Sequence, residues 1–319
     1  MKIIAELCQN HKGQSSTLAK MVEEAAMNGA THVKIQHIYS KSLSKRSIFE
    51  NGYISSGKII SIKRPYHKEF RRLKKLELNN NQIKNFINIC KSNSVIPLTT
   101  CFTRQDIYQI KKLGFSEIKV ASYDCASYQM LSELKNNFNH IYLSTGATYN
   151  SEIKEASRTL KNNFSLLHCV TQYPNKLNNL NLSRMKFLQK YSKEVGYSDH
   201  TNPEVDKLVA SLSAIYFGAK ILERHFTILS KKATKDGVVS VNSSELKQIK
   251  SFSEKNKINQ LKILKTLNFK RDKFLGRPNP PLTREELLNR DYYRGRSVSK
   301  VSDARGLLDV YNWENTPIK

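Results

Sequence analysis

The chain has 319 residues, with 53 lysines and arginines against 27 aspartates and glutamates and a formal net charge of +26. That length holds one large α/β barrel or two smaller domains, and the positive excess suggests an anionic partner, a phosphorylated metabolite, an acidic membrane surface or nucleic acid, only against the plainer reading of lysine and asparagine spread over helix faces by compositional bias. No apolar run is long enough for a membrane span, the N-terminus lacks a signal-peptide pattern, and five cysteines without a CxxC pair exclude a disulfide scaffold and point to a reducing cytoplasm. From Lys2 to about Lys265, short β-branched runs alternate with amphipathic stretches, the pattern of a parallel sheet covered by helices. The predicted strands are Ile3–Leu7, His32–Gln36, Val95–Cys101, Glu117–Ser122, His140–Thr145, Ser165–Val170, Glu194–Ser198 and Ala219–His225, with a crossover helix over Glu204–Phe217. Asn28-Gly29, Leu113-Gly114 and Phe217-Gly218 precede strands as helix stops, where glycine takes the left-handed conformation. Eight alternations predict an α/β fold, a (β/α)8 TIM barrel, over residues 1–268.

Two stretches leave the repeat. Residues His37 to about Leu76 form a long basic excursion after the second strand, expected as a lid or binding loop at the barrel's top. Residues 269–319, introduced by Pro278, Pro280 and Pro281, read as a linker and short tail that packs on a neighbouring subunit. The basic stretches around Lys63–Lys75 and Lys262–Lys273 carry no nucleic-acid-binding signature, so only charge speaks for nucleic acid.

Chemistry-bearing residues gather at the carboxyl ends of the strands, the edge that carries function in such barrels. Glu6 ends the first strand, Lys34 and Gln36 the second, Thr99 and Thr100 the third, and Lys119 and Ser122 the fourth, followed by Asp124. Ser144 and Thr145 end the fifth strand, His168 and Tyr173 lie around the end of the sixth, and His200 and His225 complete the ring. Lysines within apolar strands are costly to bury without an anionic partner, so Lys34 and Lys119 with nearby hydroxyls form a receptor for phosphate plus carboxylate. His200 and His225, on neighbouring strand ends, form a metal pair suited to Mn²⁺, Fe²⁺, Co²⁺ or Zn²⁺. Glu223 shares a strand face with His225, as support for a ligand or as an ion-pair partner. For His168, a hydrogen-bonded core role competes evenly with a ligand role.

These residues carry a family resemblance. Ile4-Ala5-Glu6 with Asn10-x-x-Gly13, Val33-Lys34-x-Gln36, Thr99-Thr100-x-Phe102 and Ile118-Lys119-x-Ala121-Ser122-x-Asp124 are followed in order by Leu143-Ser144-Thr145-Gly146 and Leu167-His168-Cys169-Val170 with Tyr173-Pro174. Gly196 to Thr201 and Glu223-x-His225-Phe226-Thr227 complete the set. In these blocks residues 1–265 resemble the catalytic barrel of the sialic acid synthase family. The resemblance implies a transferase that condenses phosphoenolpyruvate with an N-acylated hexosamine, such as N-acetylmannosamine, to give a nonulosonic acid and phosphate. It implies a divalent metal, Mn²⁺, on His200 and His225, and a phosphoenolpyruvate site of Lys34, Thr100, Lys119, Ser122, Ser144 and Ser198. Glu6, Gln36, Asp124, Tyr173 and Asp236 would face the sugar, with Glu6, Lys34, Lys119 and Asp124 as the catalytic group. A homodimer is what the same resemblance implies.

The chain departs from the family pattern at Cys8 (for glycine), His37 (for threonine), Tyr123 (for glycine), Ala147 (for methionine) and Thr234-Lys235-Asp236 (for Gly-Pro-Asp). Tyr123 beside Asp124 and Lys235 beside Asp236 crowd or recharge the sugar side, while the phosphoenolpyruvate and metal side is intact. The family's C-terminal antifreeze-like domain, which gives an arginine to the partner's sugar site, reads as incomplete: Asn289-Arg290 and Arg296-Ser297-Val298 resemble only its linker and start. Arg294, Arg296 and Arg305 are the candidates for the missing arginine. The competing readings are a barrel aldolase using Lys34 or Lys119 as a Schiff-base amine and a noncatalytic binding subunit.

Overall fold

A computed structural model describes residues 1–304 and 306–318. The strands, in chain order, are β1 (Lys2–Cys8), β2 (His32–His37), β3 (Tyr53–Ser55), β4 (Lys58–Ser61), β5 (Ile96–Cys101), β6 (Glu117–Val120), β7 (His140–Ser144), β8 (Phe164–Cys169), β9 (Glu194–Asp199), β10 (Ile221–His225), β11 (Ser299–Asp303) and β12 (Gly306–Val310). Eight of them close a parallel barrel in the order β1-β10-β9-β8-β7-β6-β5-β2, with helices between successive strands. The chain is therefore a (β/α)8 TIM barrel, and each predicted strand is present with its ends displaced by no more than two residues.

Alternation along the strands sends one set of side chains into the barrel and the other against the helices. Ile4, Leu98, Tyr142, Leu167 and Ile221 form a dry plug inside the barrel, while a larger apolar cluster fills the layer between strands and helices. Gly196 sits at the tightest point: a Cβ there would stand 2.4 Å from the Ile221 carbonyl oxygen and 2.6 Å from Leu167 Cδ2. The helix stops at Gly29, Gly114 and Gly218 all take positive φ, near 100°. The predicted Glu204–Phe217 helix is divided into Pro203–Asp206 and Val209–Tyr216, because Lys207 and Leu208 both adopt left-handed φ. A left-handed residue costs about 1–2 kcal/mol; the break turns Leu208 into the core, and burying a leucine recovers about 1.5–3 kcal/mol.

The two departures from the repeat meet above the barrel's carboxyl edge. The 37–76 excursion contains the β3–β4 hairpin and a helix, Tyr66–Lys74. The C-terminal stretch forms a helix, Arg284–Tyr293, followed by the β11–β12 hairpin. They are tied by Ser44 N to Arg296 O at 2.8 Å and Val298 N to Ser42 O at 2.7 Å. Arg46 donates to the Asp291 and Arg294 carbonyls at 3.0 and 3.3 Å. The C-terminal stretch, expected to reach toward a neighbouring subunit, lies on its own barrel: Arg104 N donates to Ser299 Oγ at 2.8 Å, and Asn312 Nδ2 to the Phe102 carbonyl at 2.9 Å. Its expected linker character also fails near the start, since Phe274 is 1% exposed within the main core.

Candidate active site

A cavity of about 400 Å³ opens between the barrel's carboxyl edge and the two tied segments. Its floor is set by strand register. Glu6 pairs in register with both Lys34 and His225, and Thr100 with both Gln36 and Lys119, so these side chains share one level above the apolar plug. Lys34, Lys119, Glu6 and Glu223 are all buried there. Lys34 is ion-paired with Glu6, donates to Thr100 Oγ1 at 2.9 Å and lies 3.6 Å from Glu223 Oε2. Lys119 Nζ donates to Ser144 Oγ at 2.6 Å and to the Val120 carbonyl at 2.9 Å, with Glu223 Oε1 4.0 Å away. An ammonium has three protons, so Lys119 keeps one for a ligand.

Glu223 stands between the lysines. Ser198 Oγ donates to its Oε1 at 2.7 Å, and its Oε2 is buried without a hydrogen-bond partner. Burial pushes its carboxyl up, but Lys119 and Lys34 outweigh burial and hold it below the ordinary carboxylate range. Burial pulls Lys34 down to about 8, against the attraction of Glu223 and with the repulsion of Lys119. An isolated buried charge would be untenable; here two cations and two anions share one enclosed layer.

The two imidazoles stand at one side of the cavity, ring centroids 5.5 Å apart. His200 follows β9 on a turn fixed by a fully buried ion pair: Arg224 Nη1 is 2.7 Å from Asp199 Oδ1, and Asp199 also accepts from Ser211 Oγ at 2.5 Å and Thr201 N at 2.8 Å. His200 Nδ1 lies 3.1 Å from the Val170 carbonyl, which requires the proton on Nδ1 and leaves Nε2 as an acceptor, 3.0 Å from the Tyr173 hydroxyl. Burial and its neighbour His225 pull the His200 imidazole down to about 3, and burial lowers His225 as well. His225 Nδ1 is buried with no hydrogen-bond partner. Neutral imidazoles with a free nitrogen suit a divalent cation. Asp236 and Cys8 add a carboxylate and a thiol: one donor atom from each of Cys8, His225 and Asp236 lies within 4.8 Å of the others. His200 stands outside that three-residue group.

Of the residues read from sequence, Glu6, Lys34, Gln36, Thr100, Lys119, Ser122, Ser144, Tyr173, Ser198, His200, His225 and Asp236 line the cavity, and Asp124 does not. The turn Ser122–Asp124 sends Tyr123 into the cavity, where it stacks on Tyr293 at 4.9 Å, and turns Asp124 toward the C-terminal stretch. Asp124 accepts from Asn312 Nδ2 at 2.8 Å and Ser127 Oγ at 3.0 Å; burial pushes it up to about 6 despite both bonds. His168 Nε2 lies 2.7 Å from the Leu180 carbonyl, and because a carbonyl only accepts, Nε2 carries the proton and donates it: the core role prevails.

The upper wall supplies residues that the strand pattern did not reveal. Arg64 and Arg72 come from the excursion, and Glu285, Asn289, Tyr293 and Arg296 from the C-terminal stretch. Glu69 joins the two: it receives Arg72 Nε and Nη2 at 2.9 and 2.8 Å and Arg296 Nη2 at 2.7 Å. Against the upward push of burial, the two arginines hold Glu69 down at about 2. Arg72 also donates to Gln9, which donates to Gln36 at 3.2 Å. Of the three candidate arginines, Arg296 faces the cavity, Arg294 turns to Trp313 and Glu152, and Arg305 lies outside the described residues.

The sequence profile of the NeuB family matches residues 21–262. The chain belongs to the NeuB family. Among its relatives, the N,N'-diacetyllegionaminic acid synthase of Campylobacter jejuni is 31% identical over 256 residues, covering 77% of this chain and 73% of that protein. The N-acetylneuraminate-9-phosphate synthase of Drosophila melanogaster is 29% identical over 256 residues, 77% of this chain and 65% of that one. The crystal structure of the N-acetylneuraminic acid synthetase of Leptospira borgpetersenii, in complex with citrate, superposes with a TM-score of 0.66 at 25% identity, covering 90% of each chain. As a member of this nonulosonic acid synthase family, the chain is a phosphoenolpyruvate-dependent, C–C bond-forming transferase.

Proposed function

We propose that this NeuB-family enzyme condenses phosphoenolpyruvate with the open-chain form of an N-acylated hexosamine, N-acetylmannosamine or a related amino sugar, to give a sialic acid-like nonulosonic acid and phosphate. The observation that carries this reading is one cavity in which buried Lys34 and Lys119 form a cationic floor beside the imidazoles of His200 and His225. Lys119 and Lys34 bind the phosphate and carboxylate of phosphoenolpyruvate, and Thr100, Ser122, Ser144 and Ser198 orient it with hydroxyl hydrogen bonds. Gln36, Tyr173 and Asp236 meet the sugar. His200 and His225 would hold a divalent metal, Mn²⁺ by the sequence resemblance, which when bound would supply Lewis-acid polarisation of the sugar aldehyde.

The C3 electron pair of phosphoenolpyruvate forms the new bond to the aldehyde carbon, whose oxygen takes a proton to become a hydroxyl. The floor carboxylates, Glu6 and Glu223, face the positive charge that develops at C2. Water adds to C2, and Glu6 takes its proton. Collapse of the resulting tetrahedral centre breaks the bond from C2 to the bridging oxygen and expels phosphate, which carries off the C2 hydroxyl proton, leaving the ketone. Asp124, turned away from the cavity, has no part in this scheme.

Phosphate release from phosphoenolpyruvate tests the reading, with Mn²⁺ and each of N-acetylmannosamine, its 6-phosphate and the 2,4-diacetamido-trideoxyhexoses. One acceptor is expected to support release that EDTA and His200→Ala abolish. Release unaffected by EDTA, together with borohydride trapping of a carbonyl substrate on Lys34 or Lys119, would replace the scheme with Schiff-base chemistry.

A further inference from the structure

By the sequence resemblance glycine is usual where this chain has Cys8, and the backbone there takes a conformation that suits glycine, φ 48°. A left-handed conformation is unfavourable for a residue with a Cβ by about 1–2 kcal/mol. The sulfur it carries is therefore the feature that needs a reason. Cys8 ends β1 next to β10, and the pairing of Glu6 with His225 brings the end of β1 beside that histidine. Its Sγ lies 3.0 Å from Asp236 Oδ2, on the segment that follows β10. Cys8 is 5% exposed and His225 7% exposed, and His225 Nδ1 has no partner. A thiol, an imidazole and a carboxylate from three separate segments thus converge within 4.8 Å. Ligand atoms of one tetrahedral ion stand roughly 3.3–3.8 Å apart, given bonds of about 2.0–2.3 Å, so a small contraction brings the three onto a single ion.

We propose that Cys8 is a metal ligand in this enzyme, acting with His225 and Asp236 to make a sulfur–nitrogen–oxygen site that takes Zn²⁺, Co²⁺ or Fe²⁺ in preference to Mn²⁺. This rests on the reading above, that the enzyme holds a divalent metal at this side of the cavity, and changes which metal it holds. The thiol proton passes to solvent as the sulfur–metal bond forms. Thiolate is a soft ligand, and in sites of mixed donors it moves selectivity from oxygen-seeking Mn²⁺ toward the later first-row ions. In this arrangement Asp236, read from sequence as a sugar contact, becomes the oxygen donor.

Metal-stripped protein titrated with Co²⁺ gives a readout independent of turnover. Wild-type protein is expected to show the visible d–d bands of a low-symmetry site together with an intense near-ultraviolet sulfur-to-cobalt charge-transfer band. Cys8→Ser should lose the charge-transfer band and keep the d–d bands. Cys8→Gly, which the local φ accommodates without strain, serves as the second variant and should behave in the same way. In competition titrations, either substitution should narrow the preference for Zn²⁺ over Mn²⁺ by about tenfold or more, the effect of losing one strong ligand. Cobalt bound with d–d bands but no charge-transfer band in wild-type protein, or a band that persists in both variants, overturns the thiolate while leaving the metal reading intact. Failure of wild-type protein to bind Co²⁺, Zn²⁺ or Mn²⁺ at all overturns both.

Discussion

The floor and the upper wall of the cavity solve the same problem, holding cations in place, by opposite means. On the floor, Lys34 and Lys119 are drawn from β2 and β6, the two strands that flank β5, and are neutralised by Glu6 and Glu223 in one buried layer. On the upper wall, Arg72 and Arg296 come from segments far apart in the chain and meet on a single carboxylate, Glu69. The floor is rigid because every strand beneath it is part of a closed sheet; the wall is held by a few hydrogen bonds between two excursions. Substitutions on the floor should therefore cost chemistry and stability, and substitutions in the wall should cost recognition of the acceptor alone.

The largest expected effect is that of Lys119→Met, which removes the donor with a free proton and should lower phosphate release about 10³-fold, measured at saturating phosphoenolpyruvate. A fall of less than tenfold would mean that Lys34 alone carries the anion. Below the floor, Asp199→Ala leaves Arg224 buried and unpaired; urea denaturation should show a loss of about 3–5 kcal/mol. In the wall, Arg296→Ala should raise the acceptor KM roughly tenfold, the scale of one charged hydrogen bond, and leave the phosphoenolpyruvate KM unchanged. An equal rise for both substrates would erase the distinction between floor and wall.

The smallest effect concerns Asp124, raised by burial from 3.8 to about 6. The folded protein binds this proton more tightly than the unfolded chain does, so its stabilising contribution is complete below pH 3.8 and is lost as pH rises through about 6. Thermal melts of Asp124→Asn should show a flatter pH dependence across that interval, with turnover at neutral pH close to wild type. A fall of about a hundredfold in turnover, the scale of a general acid or base, would return Asp124 to the chemistry.

The floor was legible in the sequence because strand period and glycine stops locate strand ends, and lysines inside apolar strands have few bland explanations. The wall was not. The 37–76 excursion read as a lid and Arg296 as a candidate arginine, but nothing local in Arg64, Arg72 or Tyr293 announces that two segments converge on one carboxylate. Asp124 shows the limit most sharply: it follows the fourth strand as expected, yet one turn of 3-10 helix decides that its neighbour Tyr123 enters the cavity instead. Glu223 was seen as an ion-pair candidate, but its position between both lysines depends on barrel closure, which strand order alone does not give.

The tie between Arg46 and the Asp291 carbonyl joins residues 245 positions apart. Closing so long a loop adds little entropy beyond that of a shorter one, since the cost grows only with the logarithm of length, but it sets an order of events during synthesis. All eight barrel strands have been made by His225, well before Arg284. A nascent chain can thus assemble the lysine floor first and close the upper wall over it last.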